Sequence, residues 1–299
     1  MVYHYTSIEA LMHIIESIQE SEYNDAFIFK ATNVLYMNDP EEFVYGRKVF
    51  TETLREIERS LEIDDKDSIS CKWQGRSSED EKDLDHEYIE HLEAIKSLPY
   101  VISFTRLEDS LPIWLNYGNG GKGVCLAFTD NRNQPFMIKK TEKGDFVYES
   151  FFTSDVYYQS IPKDSELYKL MCDILNCYKK DLKVFPDMDL KESYFDSLIQ
   201  NVAPFVKTNY YCNEAEIRYS NIINKMTKVD KDVTKFRCNR YGNIIPYVDV
   251  EIPIEQLDHI IIGPMADFKL TKMALDMMMK RYMQKTVDIL PSEVKYRVY

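Results

Sequence analysis

Two acidic side chains and one basic side chain alternate along a short stretch of the chain, at Glu214, Glu216 and Arg218. A β-strand at 214–223 would place all three on one face, because successive side chains of a strand point to opposite faces. Two carboxylates in one pocket hinder each other's ionisation, and a neighbouring arginine offsets that effect. Such a pair accepts hydrogen bonds from sugar hydroxyls and stabilises positive charge that develops at a sugar carbon. The alternative is an ordinary sheet with one solvated face.

A histidine lies in the predicted first strand, residues 2–5, between two tyrosines. The alternation predicts that His4 faces away from Tyr3 and Tyr5. Its imidazole can donate a hydrogen bond to a hydroxyl or carbonyl of a ligand. A hydrogen bond from His4 to the protein backbone is the other interpretation.

Hydroxyl and aromatic side chains mark two further candidate positions. Ser103 and Thr105 end a predicted strand at 100–105, where their hydroxyls could contact a ligand or close the strand. Trp114 and Tyr117 lie three residues apart on a short predicted helix, residues 110–117. These two rings are either part of the core or a stacking wall for a flat ligand.

Two segments carry the residue types that begin helices. Asp39 can cap a helix, Pro40 suits its first position, and Glu42 can close the capping box. The same signature occurs earlier, with Thr6 as the cap and Glu9 three residues later. Helix capping thus accounts for most of the polar segment at 38–42.

Several motifs that resemble metal or phosphate sites fail on their spacing. His86 and His91 are five residues apart, which on a helix separates them by roughly 140° and prevents them from sharing a metal. Cys172 and Cys177 have the same spacing. The glycines at 118–123 are not followed by the Lys-Ser or Lys-Thr pair of a phosphate loop, so a turn is the simpler interpretation. We therefore predict no metal site.

The periodicity predicts an α+β fold with mixed, mostly antiparallel sheets and surrounding helices. We expect a single domain over residues 1–299, with helical insertions at about 60–95 and 160–208. Helices are predicted after Thr6 and Asp39 and at 165–182, 188–208 and 270–283. Besides those named above, strands are predicted at 124–128, 136–139, 145–149, 156–158, 244–252, 259–263, 286–290 and 296–299.

Composition limits the class of protein. The 299 residues carry a net charge of −13, which disfavours duplex DNA and anionic membranes as partners. No apolar run approaches the roughly 18–20 residues that span a bilayer, and the first residues do not form a signal peptide. The six cysteines include no Cys-x-x-Cys pair, so we expect reduced thiols and a cytoplasmic protein.

Six short motifs, taken in order, resemble the bacterial domain of unknown function 2971. They are Tyr-His-Tyr-Thr-Ser at 3–7, Asn-Asp-Pro-x-Glu at 38–42, Ile-Ser-Phe-Thr at 102–105, Trp-x-x-Tyr followed by Lys-Gly-Val-Cys-Leu-x-Phe at 114–128, Glu-x-Glu-x-Arg at 214–218, and the Ile-Ile-Gly strand with the helix after it near 260–284.

The order of a histidine in the first strand, a hydroxyl-aromatic-hydroxyl strand and a late Glu-x-Glu is also similar, more distantly, to the ADP-ribosyltransferase fold. This resemblance implies NAD as substrate, with Glu216 stabilising an oxocarbenium-like transition state, Glu214 assisting the acceptor and His4 orienting NAD. The residues implied to contact NAD are His4, Tyr5, Thr6, Asn38, Ser103, Phe104, Thr105, Trp114, Tyr117 and Arg218.

These resemblances predict an NAD-consuming transferase that passes ADP-ribose to a macromolecular acceptor, as a toxin or phage-defence effector would. A second hypothesis is a non-catalytic sensor that binds a nucleotide or a protein in the same cleft. A third is a structural role, in which Glu214 and Arg218 are surface charges and His4 belongs to the core.

Overall fold

The computed structural model describes residues 1–21, 25–39, 41–73, 99–130, 137–142, 145–150, 152–222, 234–239, 242–283 and 285–296. Most of the predicted insertion at 60–95 therefore lies outside the described residues, as does nearly all of the predicted strand at 296–299. The described part of that insertion ends in a short 3₁₀ helix, Ser70–Trp73.

Six α-helices lie within the described ranges, close to the predicted positions. They are α1 (Ile8–Glu16), α2 (Glu42–Ser60), α3 (Leu111–Asn116), α4 (Glu166–Val184), α5 (Lys191–Val202) and α6 (Phe268–Tyr282). The predicted helix at 188–208 is too long, because residues 206 and 207 turn into a strand. Pro204 stands where the helical pattern breaks, since proline cannot continue a regular helix.

Fourteen strands lie within the same ranges. They are β1 (Val2–Thr6), β2 (Ala26–Asn33), β3 (Pro99–Thr105), β4 (Val124–Phe128), β5 (Met137–Glu142), β6 (Asp145–Ser150), β7 (Phe152–Asp155), β8 (Tyr157–Tyr158), β9 (Val206–Lys207), β10 (Glu216–Ile222), β11 (Lys235–Cys238), β12 (Ile244–Pro253), β13 (Leu257–Ile262) and β14 (Asp288–Pro291).

Twelve of these strands form one sheet, and β8 and β9 form a separate parallel pair. The main path through the large sheet is β14-β13-β4-β1-β3-β2-β12-β5-β6, with β10 paired to β3 and β7, and β11 paired to β12. Every pair in this sheet is antiparallel except β13–β14. The predicted α+β class with a mostly antiparallel sheet is thus confirmed.

Strand β3 is the point where the sheet divides. One edge of β3 pairs with β10 along its whole length, from Pro99 to Thr105. The other edge pairs with β1 only at Thr105 and with β2 only at Val101 and Tyr100. Strands β1 and β2 therefore separate beside the middle of β3, around Ser103.

The two faces of the sheet are covered by different helices. Alternate residues of β3, such as Ile102 and Phe104, join an apolar cluster with α1 and α6. Val101, on the opposite face, joins a second cluster with α2, α4 and α5. Tyr3 and Tyr5 form a third cluster with buried Trp114 of α3. The face of the strand on which a candidate side chain lies therefore decides which of these clusters surrounds it.

Both predicted helix starts are shifted in the structure. Helix α1 is capped by Ser7, whose Oγ accepts a hydrogen bond from the Ala10 backbone at 3.1 Å, and not by Thr6. The Asp39 carboxylate accepts from the Glu41 backbone at 3.0 Å, but α2 begins only at Glu42 and has no side-chain cap. Glu42 is instead buried, where it pairs with a buried arginine described below.

The described residues contain no helix that meets the length and hydropathy needed to cross a membrane. Their histidine, cysteine and acidic side chains form no group of three that could hold a metal ion. All six cysteines are free; Cys125 is buried and four others are exposed.

Candidate functional site

The Glu-x-Glu-x-Arg segment contains a sharp backbone turn before its strand. Ala215 has a φ of 42°, in the left-handed region that a non-glycine residue rarely adopts. This turn separates a 3₁₀ helix, Asn209–Glu214, from β10. The predicted strand therefore begins at Glu216, and the expectation that Glu214 belongs to it is wrong. The carbonyl of Ala215 accepts a hydrogen bond from the Arg106 backbone at 2.9 Å, which holds the turn against the end of β3.

Arg218 is completely buried and binds Glu216 in a two-pronged geometry. Its Nε donates to Oε1 of Glu216 at 2.7 Å, and its Nη2 donates to Oε2 at 3.0 Å. Its Nη1 donates to Oε1 of Glu42 and to the carbonyl of Pro204. Paired hydrogen bonds between a guanidinium and a carboxylate are strong and fix the orientation of both groups. The interpretation of these residues as a solvated sheet face is therefore wrong.

Lys207 of β9 joins the same group of charges from the other side. Its Nζ lies 2.8 Å from Oε2 of Glu214, 3.0 Å from Oε2 of Glu216 and 3.4 Å from Oε2 of Glu42. The ammonium also lies 4.4 Å from the ring centre of Tyr211, a cation–π contact. Lys207 thus connects the buried carboxylates to the edge of the site.

We call Glu42, Lys207, Glu214, Glu216 and Arg218 the ion cluster. In formal charges it holds three carboxylates and two cations, so −3 + 2 gives −1. Four of the five side chains are at most 7% exposed, while Glu214 is 13% exposed. The member nearest to solvent is therefore a carboxylate.

The pKa values of the buried members follow from their partners. Burial alone would raise the pKa of Glu216, but Arg218 and Lys207 outweigh it and lower that pKa to about 2. Burial alone would lower the pKa of Lys207, but Glu216 and the other carboxylates raise it above its ordinary value. Both groups therefore stay charged at neutral pH despite their burial.

A pocket of about 420 Å³ opens beside Glu214, between α3 and the 3₁₀ helix. Its lining residues are Pro112, Ile113, Asn116, Tyr117, Tyr210, Tyr211, Asn213 and Glu214. The hydroxyl of Tyr117 donates to Oε1 of Glu214 at 2.5 Å, and burial and this carboxylate raise the pKa of Tyr117. Three tyrosine rings and one carboxylate thus face the same space.

The lining favours flat, cationic or hydroxyl-bearing ligands. Among the described residues that line the pocket, Glu214 is the only charged one. Tyr210 is 93% exposed, an unusual position for a large aromatic ring. Tyrosine faces attract cations and stack on flat rings, and a carboxylate accepts hydrogen bonds from hydroxyls. A phosphate group, in contrast, would meet negative charge here.

Thr105 fixes the backbone that carries Glu214. Its Oγ1 donates to the carbonyl of Glu214 at 2.6 Å and accepts from the Leu107 backbone at 3.0 Å. Ser103 lies on the same face of β3, opposite Arg218 in the register. Its buried Oγ makes no well-formed hydrogen bond, although its proximity helps to keep the pKa of Glu216 low. The two hydroxyls predicted to brace a ligand thus lie behind the pocket.

His4 lies on the opposite face of the sheet from Glu216. Tyr3 and Glu216 both pair with Thr105, so their side chains share a face, and His4 next to Tyr3 points to the other. The His4 ring lies 5.2 Å from the ring of Phe29 and 5.4 Å from that of Phe104.

Within the described residues, the His4 imidazole makes one hydrogen bond, to the protein backbone. Its Nδ1 lies 3.2 Å from the carbonyl of Ser103, at the point where β1 and β2 separate, and it must donate there because a carbonyl only accepts. The ring thus replaces a missing strand partner. Burial lowers the pKa of His4, against a smaller opposing effect of this hydrogen bond. The expectation that His4 and Glu216 share one cleft is therefore wrong.

The other predicted contact residues serve the core or the surface. Trp114 is buried, and its Nε1 donates to Asp109 at 2.7 Å, so it is not a stacking wall. Tyr5 donates to the carbonyl of Leu107 at 3.1 Å and packs edge-on against Trp114. Phe104 and Thr6 do not line the pocket, and Asn38 is exposed. Of the predicted site residues, the pocket contains only Tyr117 and Glu214.

Several residues of the site were not predicted. Lys207 falls inside the predicted helix at 188–208, which hides its role, and Glu42 is explained there as a helix cap. Tyr210 and Tyr211 precede the Glu-x-Glu segment and carry no spacing signal. The pair of neighbouring tyrosines directly before an acidic segment is the feature that a sequence search could have used.

The comparisons with known proteins bear on the family. Residues 113–219, which include most of α3, the first residues of β10 and most of the pocket lining, match the family described as "Protein of unknown function (DUF2971)". No curated protein and no solved structure matches the chain. The resemblance inferred from the six motifs is thus confirmed in this central segment, where residues 113–219 match the model of the DUF2971 family of proteins of unknown function.

Proposed function

We propose that the pocket beside Glu214 binds the nicotinamide–ribose end of NAD. We further propose that the chain cleaves the bond between the nicotinamide ring and the ribose. The observation that carries this proposal is the surplus negative charge of the ion cluster, which reaches the pocket through Glu214. The nicotinamide ring of NAD is flat and positively charged, which suits a pocket with three tyrosines and one carboxylate.

The residues would divide the work between stacking and charge stabilisation. Tyr210 and Tyr211 would hold the ring, and Glu214 would accept hydrogen bonds from the ribose. When the bond between the ring nitrogen and the anomeric carbon breaks, its electron pair leaves with nicotinamide and neutralises the ring. Positive charge then develops on the ribose, where Glu214 stabilises it most directly. Water or another nucleophile adds to that carbon and loses a proton.

Glu216 has a supporting role in this version of the reaction. Both of its oxygens accept hydrogen bonds from Arg218, and Oε2 also accepts from Lys207. A carboxylate held this firmly adds to the negative potential behind Glu214 without contacting the ribose. The sequence-based assignment of the catalytic role to Glu216 is thereby replaced with Glu214, while His4 takes no part.

The test is release of nicotinamide from NAD by the purified chain. We expect the wild type to release nicotinamide and Glu214→Gln to lose at least about 100-fold in rate, the size of effect typical for removing one charge-stabilising group. Glu255→Gln is the matched control, because Glu255 is exposed and does not line the pocket. Full activity in Glu214→Gln would refute the role of that carboxylate.

Binding without turnover is the second candidate, favoured by one observation. Both oxygens of Glu214 already have partners, Tyr117 and Lys207. Calorimetry with nicotinamide riboside, which lacks phosphate, separates the two candidates. Binding that Tyr210→Ala abolishes, with no nicotinamide released from NAD, would support a sensor. The absence of both binding and release would exclude both functions.

A further inference from the structure

Helix α6 carries apolar side chains on the face that points away from the core. Its inner face contributes Leu275 and Met279 to the apolar cluster. On the opposite side, Leu270, Met273 and Met277 are 64–72% exposed. At about 100° per residue these three side chains fall within roughly 60° of each other, so they form one stripe about 10 Å long. A helix that is apolar on both sides is normally covered on both.

Basic side chains border this stripe. Lys269, Lys280 and Arg281 are exposed and lie on its two edges by the same angular spacing. The only acidic residue of α6, Asp276, pairs with Lys272 at 3.5 Å. We call the stripe and its three basic neighbours the basic patch. It is positive in a chain whose net charge is −13.

A second exposed apolar patch has the opposite charge at its border. Val184, Phe185 and Met188, at the end of α4 and just after it, are 47–64% exposed. Asp187 and Asp189 alternate with them and are exposed as well. We call residues 184–189 the acidic tip.

The two patches cannot meet within one molecule. Helix α6 covers one face of the sheet, with α1, whereas α4 packs with α2 and α5 on the opposite face. Each patch contains three large apolar side chains. Asp187 and Asp189 outweigh the exposed Lys183 beside the tip, so the two patches carry net charges of opposite sign. Methionine side chains adapt readily to a partner surface. We propose that the basic patch of one copy docks on the acidic tip of a second copy.

Such a contact joins two different surfaces, so it links copies head to tail and does not close into a two-fold dimer. Three apolar side chains on each side make a small interface, well below the size of a stable one. The association is therefore weak, depends on protein concentration and weakens as salt screens the charges. It involves neither the pocket nor the ion cluster and is independent of the proposed function.

Sedimentation velocity over a wide range of concentrations tests the proposal at low and high salt. We expect the mass of the wild type to rise above 35.4 kDa with concentration at low salt. Reversing one patch (Lys280→Glu with Arg281→Glu, or Asp187→Lys with Asp189→Lys) is expected to keep the chain monomeric. An equimolar mixture of the two variants is expected to associate again. The unchanged tip of the first variant meets the unchanged helix of the second, and the two reversed patches also attract each other.

All four substituted positions are exposed, so the variants are expected to fold, and circular dichroism checks this. A wild type that stays monomeric at the highest concentration at low salt would overturn the proposal. The proposal also fails if association persists in both reversed variants, since another surface would then be responsible. Failure of the mixture to associate would overturn the pairing of these two patches.

Discussion

The two faces of the sheet at β3 treat a buried titratable side chain in opposite ways. On the face covered by α1 and α6, His4 lies among aromatic rings and makes one hydrogen bond to a carbonyl. On the other face, Glu216 lies against Arg218 and Lys207, with both oxygens occupied. The strands that carry these two side chains, β1 and β10, both pair with β3 at Thr105, so β3 alone lies between them.

Burial lowers the pKa of His4, whereas the cations lower the pKa of Glu216 to about 2. The histidine is consequently neutral and the glutamate charged at neutral pH. Burial disfavours the charged form of both groups, so the presence or absence of a partner of opposite charge decides which one keeps its charge. Of these two side chains, only the one on the face of the ion cluster is therefore charged at neutral pH.

Removing the central cation of that face is expected to have the largest effect. Arg218→Met keeps a similar volume but leaves Glu216 and Glu42 buried without their guanidinium. We expect a loss of about 3–5 kcal/mol in the free energy of unfolding, the usual cost of breaking a buried ion pair on one side. Urea denaturation measures it. Arg59→Met, at an exposed position near the end of α2, serves as control and should change stability by less than about 0.5 kcal/mol.

Acid is expected to lower the free energy of unfolding through the same ion cluster, by a smaller amount. The pKa of Glu216 is about 2 in the folded chain and 4.5 in an unperturbed glutamate. Its contribution to stability is therefore complete above pH 4.5 and is lost as the pH falls toward 2. The shift corresponds to about 3 kcal/mol. The stability difference between wild type and Glu216→Gln, from urea midpoints at pH 6 to pH 3, should shrink as the pH falls; a constant difference would contradict the prediction.

The sequence predicts much of this fold because local signals agree with the tertiary structure. Strand β4 and helices α4 and α6 have strong periodicity, and their positions are predicted to within a few residues. The division of the sheet at β3 could not be predicted, since it depends on which strands pair across long separations. Helix α5 is predicted too long because the apolar residues near 205 continue its pattern through Pro204 into β9.

The candidate site is only partly readable for a related reason. Alternation correctly predicts that His4 faces away from Tyr3 and Tyr5, and that Glu216 and Arg218 share a face. It cannot tell which face of one strand corresponds to which face of another. That correspondence is set by the register at Thr105, which pairs with both Tyr3 and Glu216. The order of the motifs predicts that His4 and Glu216 contact one ligand, but in the structure their side chains point to opposite faces of the sheet.

On the face covered by α1 and α6, the pH dependence of stability is expected to come from His4. Because its pKa is lowered in the folded chain, unfolding takes up a proton below about pH 6.5, and stability falls as the pH decreases through that range. The slope for one group is at most about 1.4 kcal/mol per pH unit. Gln can still donate to the Ser103 carbonyl, so His4→Gln should remove this pH dependence and keep the fold.

The same variant tests the separation of the two faces. His4→Gln is expected to bind nicotinamide riboside as the wild type does, because the imidazole does not line the pocket. Calorimetry on the folded variant measures this affinity. A loss of binding without a loss of stability would place His4 at the ligand and would contradict the assignment of the pocket to the other face.

Thr105 is expected to give the smallest effect, since it touches the site only through the backbone. Thr105→Val removes the hydroxyl that donates to the Glu214 carbonyl and accepts from Leu107. We expect a loss of about 1 kcal/mol in the free energy of unfolding, the range for a lost hydrogen bond. The looser turn should also weaken binding of nicotinamide riboside several-fold. Thr105→Ser keeps the hydroxyl and should restore both quantities, whereas equal weakening in Thr105→Ser would assign the effect to the lost methyl group and not to the hydrogen bonds.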